Sequence, residues 1–390
     1  MMFLKLQVLS KNFIILNNIH QLRIVLFSIV SKESFFYVCL GKSLGRYYWR
    51  NPCSSSQCAM AAGSVPLLSE DAVPLQECRD LIASLPVDHR VVPVRQYQGF
   101  WWPESTLPGV IAVQRHFKPR PDDVFLATYP KSGTTWLKSL AFAVTTRSQY
   151  PLSDHPLLQI NPHQCVQSLE RMFNRGRSSE IDALPSPRIL ATHMLHSVLP
   201  DSIAASDCRI VYLWRDPKDV IVSAWHFGEK VLGTREYQAE WPVDKVAMAH
   251  CEGISTHATI WDHILGYWRA RMHRPEKILF LRYEEMLAEP AANLKRMADF
   301  LGCPFSPEEE KAGMVEEIVT LCSFNNLSGL AINKPSSDVT DEGTKLQLLN
   351  NASFFRKGER GDWRNHMSPE VARRMDEMTM EKLQGSGLSF

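Results

Sequence analysis

The chain contains no C-x-x-C pair, and its nine cysteines are an odd number. That spacing argues against a disulfide framework and against a cysteine-based zinc site. The thiols read instead as reduced, mostly buried side chains of a cytosolic protein. Long apolar runs are missing too. The stretches 13–16 and 24–30 are short and bounded by polar or charged residues, whereas a spanning helix needs about 20 apolar residues. No transmembrane helix and no membrane partner are expected. There is no excess of one charge: 43 Lys and Arg stand against 42 Asp and Glu. A general nucleic-acid binder would carry a basic surplus, so none is expected to bind. No internal repeat appears, and no His/Cys/carboxylate cluster has metal-site spacing.

Acids are nearly absent from residues 1–59. Glu33 stands alone against seven basic residues, Lys5, Lys11, Arg23, Lys32, Lys42, Arg46 and Arg50. The body after them is therefore mildly acidic, and any polyanion site within it needs local basic loops. The Ser and Arg content of 1–59 mimics an organelle transit peptide. A second candidate start, Met60, precedes Ala61-Ala62-Gly63-Ser64, and the composition becomes ordinary from there. Residues 1–59 read as an extension outside the fold: disordered, a targeting peptide or a gene-model artefact. Residues 60–90 read as a lead-in and 91–390 as one folded domain.

Four short apolar runs stand out in that domain: 124–128, 188–192, 209–214 and 277–281. Near-continuous apolar runs suit strands covered on both faces. Helical patterns follow at Thr134–Val144, Asp219–Phe227 and Ala291–Leu301. Strand–loop–helix alternation predicts an α/β domain with a central parallel sheet flanked by helices. Ligands of such sheets bind at the carboxyl ends of the strands.

The first strand runs into Tyr129-Pro130-Lys131-Ser132-Gly133-Thr134-Thr135-Trp136. Gly133 permits a tight turn, the next helix opens near Thr134, and Lys131 adds a positive charge. Thr134 and Thr135 offer hydroxyl donors. These features make an anion cradle. It lacks the Walker A order, because the Lys precedes the Gly and no Gly opens the loop. A magnesium ion held by a Ser or Thr after the Lys is therefore not implied. From these residues alone, a small-molecule kinase, a non-catalytic nucleotide binder and an ordinary strand–turn–helix all stay open.

With Leu137 and Lys138 included, the cradle resembles the 5'-phosphosulfate loop of the cytosolic sulfotransferases. Two further segments agree in the same order. Arg215-Asp216-Pro217-Lys218-Asp219-Val220, with Ser223 eight residues after the Arg, resembles that family's 3'-phosphate motif. Arg356-Lys357-Gly358, followed by Gly361-Asp362-Trp363, resembles its C-terminal R-K-G-x-x-G-x-W motif. The likeness covers about residues 90–390, and its flanking text is most similar to the plant branch. It implies a P-loop-NTPase-like sulfotransferase fold and 3'-phosphoadenosine 5'-phosphosulfate (PAPS) as co-substrate, with no metal. The acceptor would be a hydroxylated small molecule of plant secondary metabolism: a flavonoid, a steroid or another metabolite. A cytoplasmic enzyme, monomeric or weakly dimeric, is expected.

By that resemblance, Lys131 stabilises the leaving phosphate. Ser132, Gly133, Thr134, Thr135 and Trp136 hold the 5' side of the donor, with Trp136 against adenine. Arg215 and Ser223 bind the 3'-phosphate. Tyr283 faces the nucleotide, Ser323 and Phe324 close over adenine, and Arg356, Lys357 and Gly358 clamp the 3'-phosphate. Cys322 stands where the family often has Thr. His193, at a predicted strand end, is the expected base that takes the acceptor's proton, with Lys131 as its catalytic partner. The reaction implied is an in-line displacement at sulfur, analogous to phosphoryl transfer. The family commonly continues His-Leu-Pro, whereas this chain reads His193-Met194-Leu195-His196. His196 is therefore a lower-ranked second candidate. Phe100, Trp101 and Phe227 are expected acceptor contacts. A membrane-bound Golgi sulfotransferase would need an anchor and luminal disulfides, and neither is legible.

Overall fold

The computed structural model describes residues 6–10, 13–16, 24–27, 74–89, 93–232, 240–255, 257–335 and 351–389. The chain divides into two units, Met1–Val65 and Pro66–Phe390. The first holds three strands, β1 Leu6–Ser10, β2 Phe13–Leu16 and β3 Ile24–Phe27, paired antiparallel in that order. These strands were not expected from the sequence. β2 and β3 coincide with the two apolar stretches that are too short to span a bilayer.

The second unit opens with helix α1, Pro74–Ser84, and an antiparallel sheet of β4 Val87–Asp88, β5 Val94–Tyr97 and β6 Phe100–Pro103. Helix α2, Leu107–His116, leads into the central sheet. That sheet has five parallel strands: β7 Val124–Thr128, β8 Gln167–Ser168, β9 Ile189–Thr192, β10 Arg209–Trp214 and β11 Ile278–Arg282. Their spatial order is β11-β10-β7-β9-β8. The α/β class and the parallel pairing expected from the sequence are both present.

The sheet is covered on both faces, which is why its strands read as unbroken apolar runs. Alternate residues go to opposite layers. Phe125, Ala127, Ile210, Tyr212 and Trp214 pack with Trp261, Ile264 and Tyr267 of helix α7, Ile260–His273. Val124, Leu126, Val211 and Leu213 pack with Leu137, Leu140 and Ala141 of α3, Thr134–Thr146, and with Leu294 and Met297 of α8, Pro290–Leu301. Helix α4, Leu169–Asn174, precedes β9, helix α5, Pro217–Leu232, follows β10, and α6, Val243–Cys251, comes next. At the amino end of the sheet, Arg188 makes hydrogen bonds of 2.8 and 2.5 Å to the two carboxylate oxygens of Asp123, both residues being fully buried. Breaking such a pair costs about 3–5 kcal/mol. Among the described residues, no helix is long and apolar enough to cross a membrane.

Candidate active site

Four strands deliver their carboxyl ends to one side of the sheet. β7 ends at Thr128, β9 at Thr192, β10 at Trp214 and β11 at Arg282. The residues that follow each strand line one cavity of about 1060 Å³.

The loop after β7 is tightly wound. Lys131 has φ +70 and Gly133 has φ +107, both in the left-handed region. A non-glycine there costs roughly 1–2 kcal/mol, so the turn at Lys131 is held against a local preference. At Gly133 no side chain fits. A Cβ would lie 2.8 Å from Cδ2 of Tyr283 and 3.1 Å from Cδ2 of Leu213. Gly133 is also the N-cap of α3 and lends no side-chain cap, so the first N–H groups of the helix remain available to an anion. The Lys131 ammonium lies 3.9 Å from the centre of the Phe227 ring. Burial lowers its pKa to about 7, and the positive charges of Lys230, Arg356 and Arg215 push the same way. An anion beside it would reverse that effect.

His193 stands one residue past β9. Its Nδ1 lies 2.8 Å from the carbonyl oxygen of Thr128 and 3.2 Å from the Thr128 hydroxyl. A carbonyl only accepts, so Nδ1 carries the proton and Nε2 is left as the basic nitrogen. The backbone N–H of His193 donates to Oε1 of Glu170 at 3.0 Å. His263 holds the other side: its Nε2 lies 3.2 Å from the His193 carbonyl and its Nδ1 2.9 Å from the Tyr212 hydroxyl. Burial lowers the His193 pKa, while Glu170 and the Thr128 hydrogen bond oppose the shift. The ring is therefore neutral near pH 7 and able to take a proton.

A second cationic cluster lies where β10 meets the C-terminal loop. Arg215 donates from Nη2 to the carbonyl of Glu359 at 2.6 Å and sits 4.4 Å from the Tyr283 ring centre. Arg356 and Lys357 both donate to Asp362, Lys357 at 2.6 Å. Burial raises the Asp362 pKa, but the hydrogen bonds from Lys357, Arg356 and Asn365, with the charge of Arg356, together outweigh it and hold the carboxyl well below its usual range. The Nε atoms of Arg215 and Arg356 are buried with no hydrogen-bond partner. Two guanidinium groups with unspent donors fit a phosphate, which accepts several such bonds at once. Gly358 has φ +69, and a Cβ there would lie 2.5 Å from Cδ2 of Phe324. Its carbonyl accepts the Tyr283 hydroxyl at 3.0 Å.

Most expected site residues therefore meet in one cavity. Lys131, Gly133, Thr134, Thr135, Trp136, His193, Arg215, Ser223, Tyr283, Ser323, Phe324, Arg356, Lys357 and Gly358 all line it. Trp136 packs edge-on to Tyr283 at 5.5 Å, and Ser323 caps α9, Phe324–Gly329, by accepting from the Asn326 N–H. Ser132 differs. It is buried outside the lining, and its N–H is spent on the Tyr129 carbonyl. Of the expected acceptor contacts, Trp101 and Phe227 line the cavity, whereas Phe100 lies outside the lining and packs on a hydrophobic core cluster. His196 also lies outside the lining, edge-on to Tyr267 at 5.4 Å. Cys322, in the place of the family's Thr, is fully buried at the cavity wall beside Ser139.

Sequence reasoning missed several supporting groups. Asp219 is fully buried and accepts the N–H groups of Gly361 at 2.6 Å and Trp363 at 3.1 Å. It ties α5 to the loop that carries Arg356. Its position inside the quoted R-D-P-K-D segment was the available signal. Lys138 stood at the end of the quoted phosphate loop without a role, and Glu170 and His163 carried no signal, because their partners are distant in sequence.

The family's sequence profile, described as a sulfotransferase domain, matches residues 121–387. The chain belongs to the sulfotransferase family. It is 42% identical to cytosolic sulfotransferase 12 of Arabidopsis thaliana over 335 residues, covering 85% of this chain and 99% of that one. It is also 42% identical to the flavonol 4'-sulfotransferase of Flaveria chlorifolia over 297 residues, covering 76% and 90%. A solved Arabidopsis thaliana structure with a provisional steroid sulphotransferase name superposes with a TM-score of 0.65. It is 38% identical and covers 84% of this chain and all of that one. Sulfotransferases are transferases, and this chain is one of them.

Proposed function

We propose that this sulfotransferase moves the sulfuryl group of PAPS to a hydroxyl of a small acceptor, with His193 as general base. The observation that carries the reading is the placement of three groups around one cavity. They are the Lys131–Trp136 cradle, His193 with Nε2 as its basic nitrogen, and the Arg215–Arg356 pair with unspent Nε donors. The two cationic clusters suit a ligand with two separated phosphates, and PAPS has that form. When bound, PAPS supplies the sulfuryl group.

The remaining chemistry belongs to the side chains. The N–H groups of Thr134, Thr135 and Trp136 hold the 5' side. Arg215, Ser223 and Arg356 hold the 3'-phosphate. Lys131 opposes the negative charge that develops on the leaving oxygen, in a site where burial strengthens the interaction. His193 takes the proton of the attacking hydroxyl on Nε2 and keeps its Nδ1–H on Thr128. Positioning and charge stabilisation supply most of the catalysis. No metal enters.

The lining of the cavity also includes Trp101, Trp225, Phe227, Trp241 and Ile254. These apolar side chains support a flat, largely apolar acceptor. The names of the relatives put flavonols and steroids among the acceptors of those proteins, and we propose the same classes here. Cytosolic residence follows the relatives' names, and a monomer or weak homodimer is proposed. The test is turnover of labelled PAPS with a panel of flavonols and hydroxysteroids, without magnesium. His193→Ala should lower kcat by about 10²–10⁴-fold, as expected for a lost general base. A folded His193→Ala protein with normal turnover would remove His193 from this role.

A further inference from the structure

Beneath the cradle lies a buried polar chain that the reaction scheme does not use. Lys138, on α3, is only 2% exposed. Its ammonium donates to the Val166 carbonyl at 2.9 Å and lies 3.3 Å from Nδ1 of His163. The other ring nitrogen of His163, Nε2, lies 2.9 Å from the hydroxyl of Thr135. Burial lowers the Lys138 pKa to about 7, with the Glu170 carboxylate opposing the shift. In its ammonium form Lys138 has only donors, so Nδ1 of His163 accepts, and the remaining roles follow from proton counting. A neutral imidazole with Nδ1 accepting carries its proton on Nε2, and Nε2 then donates to Oγ1 of Thr135. Burial lowers the His163 pKa well below its ordinary value, and the nearby charge of Lys138 acts in the same direction, which keeps the ring neutral. The Thr135 oxygen is thereby occupied as an acceptor, and its single proton is directed elsewhere. Thr135 and His163 both line the cavity.

We propose that Lys138 and His163 are positioning residues for the donor site: they set the Thr135 hydroxyl as a fixed hydrogen-bond donor to the anion in the cradle. The inference rests on the sulfotransferase reading of that cradle. His163 has a second link. Its ring stacks on Phe354 at 3.9 Å, and Phe354 stacks on Phe227 at 6.0 Å, the ring that faces Lys131. The stack and the hydrogen bonds can be separated by substitution, because phenylalanine keeps the first and loses the second.

The test is calorimetric binding of 3',5'-adenosine bisphosphate to the full chain and to Thr135→Val, Thr135→Ser, His163→Phe and Lys138→Met. One charge-supported hydrogen bond corresponds to roughly a tenfold change in affinity. Thr135→Val, His163→Phe and Lys138→Met should each weaken binding by about tenfold, while Thr135→Ser should stay near the parent. The His163→Phe/Thr135→Val double variant should bind no more weakly than Thr135→Val alone, because the three groups act as one unit. KM for the acceptor should not move. Parent-like binding by His163→Phe, or fully multiplicative losses in the double variant, would overturn the proposal. Thr135→Val removes no buried charge and keeps the test decisive if Lys138→Met fails to fold: parent-like binding by that variant alone also overturns it. Failure of the parent chain to bind the bisphosphate would instead count against the donor assignment itself.

Discussion

Replacing Asp219 with Ala should open the C-terminal clamp while leaving the core folded. Asp219 accepts two backbone N–H groups from that loop, at Gly361 and Trp363, and lies 3.4 Å from Nη2 of Arg215. Each hydrogen bond to a charged acceptor contributes about 1.5–3 kcal/mol, so the pair contributes about 3–6 kcal/mol while the loop is closed. An open loop lets water satisfy both N–H groups, which keeps the loss out of global unfolding. It should appear in ligand affinity, because Arg356 and Gly358, on the loop that Asp219 holds, line the cavity. A penalty of about 3 kcal/mol is about two decades in Kd. The assay pairs calorimetric titration with 3',5'-adenosine bisphosphate and urea unfolding. Affinity should fall at least about 100-fold, with the unfolding midpoint little changed. Asp219→Asn keeps an oxygen acceptor and should lose less. Parent-like affinity in Asp219→Ala would refute the argument that this carboxylate holds the clamp.

Other outcomes follow from the same geometry. Gly358→Ala meets Phe324 and a φ of +69, so it should raise KM for PAPS and leave acceptor binding alone, measured by initial rates. Arg215→Ala should raise KM for PAPS more than that for the acceptor, in the same assay. Burial lowers the pKa of His250 to about 4 and of His263 to about 3. Unfolded histidines titrate near 6.5, so the unfolded chain takes up protons that the folded one refuses. Stability should therefore fall as pH drops below about 6.5, by as much as about 1.4 kcal/mol per unit for each ring, in unfolding titrations at stepped pH. A chain begun at Met60 should keep its melting temperature and turnover, since the sulfotransferase profile starts at residue 121. Aggregation of that shorter chain would show that the amino-terminal segment supports the fold.

The sheet was legible where strands are buried on both faces. Residues 124–128 and 209–214 appear with the expected bounds, because nearly every side chain there enters one of two apolar layers. The other two strands start one residue later than expected. Arg188 leaves the run to pair with Asp123, and Lys277 reaches out to Asp207 at 2.7 Å. The hairpin of β5 and β6 went unread, since its pattern mixes charged and aromatic residues without clean alternation. In the site, the expected donor residues came from short contiguous segments, and all of them but Ser132 line the cavity. Phe100 and His196 went astray because an aromatic or a histidine beside a motif carries no record of which way it faces. Glu170, His163 and Lys138 depend on contacts between α3, the segment before β8 and α4, and single-sequence patterns hold no trace of such pairings.

The central claim concerns the donor, and a competition titration of the purified full chain tests it without knowing the acceptor. The competitors are 3',5'-adenosine bisphosphate, adenosine 5'-monophosphate and magnesium–ATP. In the proposed reading, Arg215 and Arg356, whose buried Nε atoms have no hydrogen-bond partner, bind a 3'-phosphate that the last two ligands lack. Two charge-assisted contacts at about 1.5–3 kcal/mol each make the bisphosphate at least about 100-fold tighter. That preference, unchanged by removal of magnesium, is the expected result. Equal affinity for all three, or tightest binding of magnesium–ATP, would contradict the account.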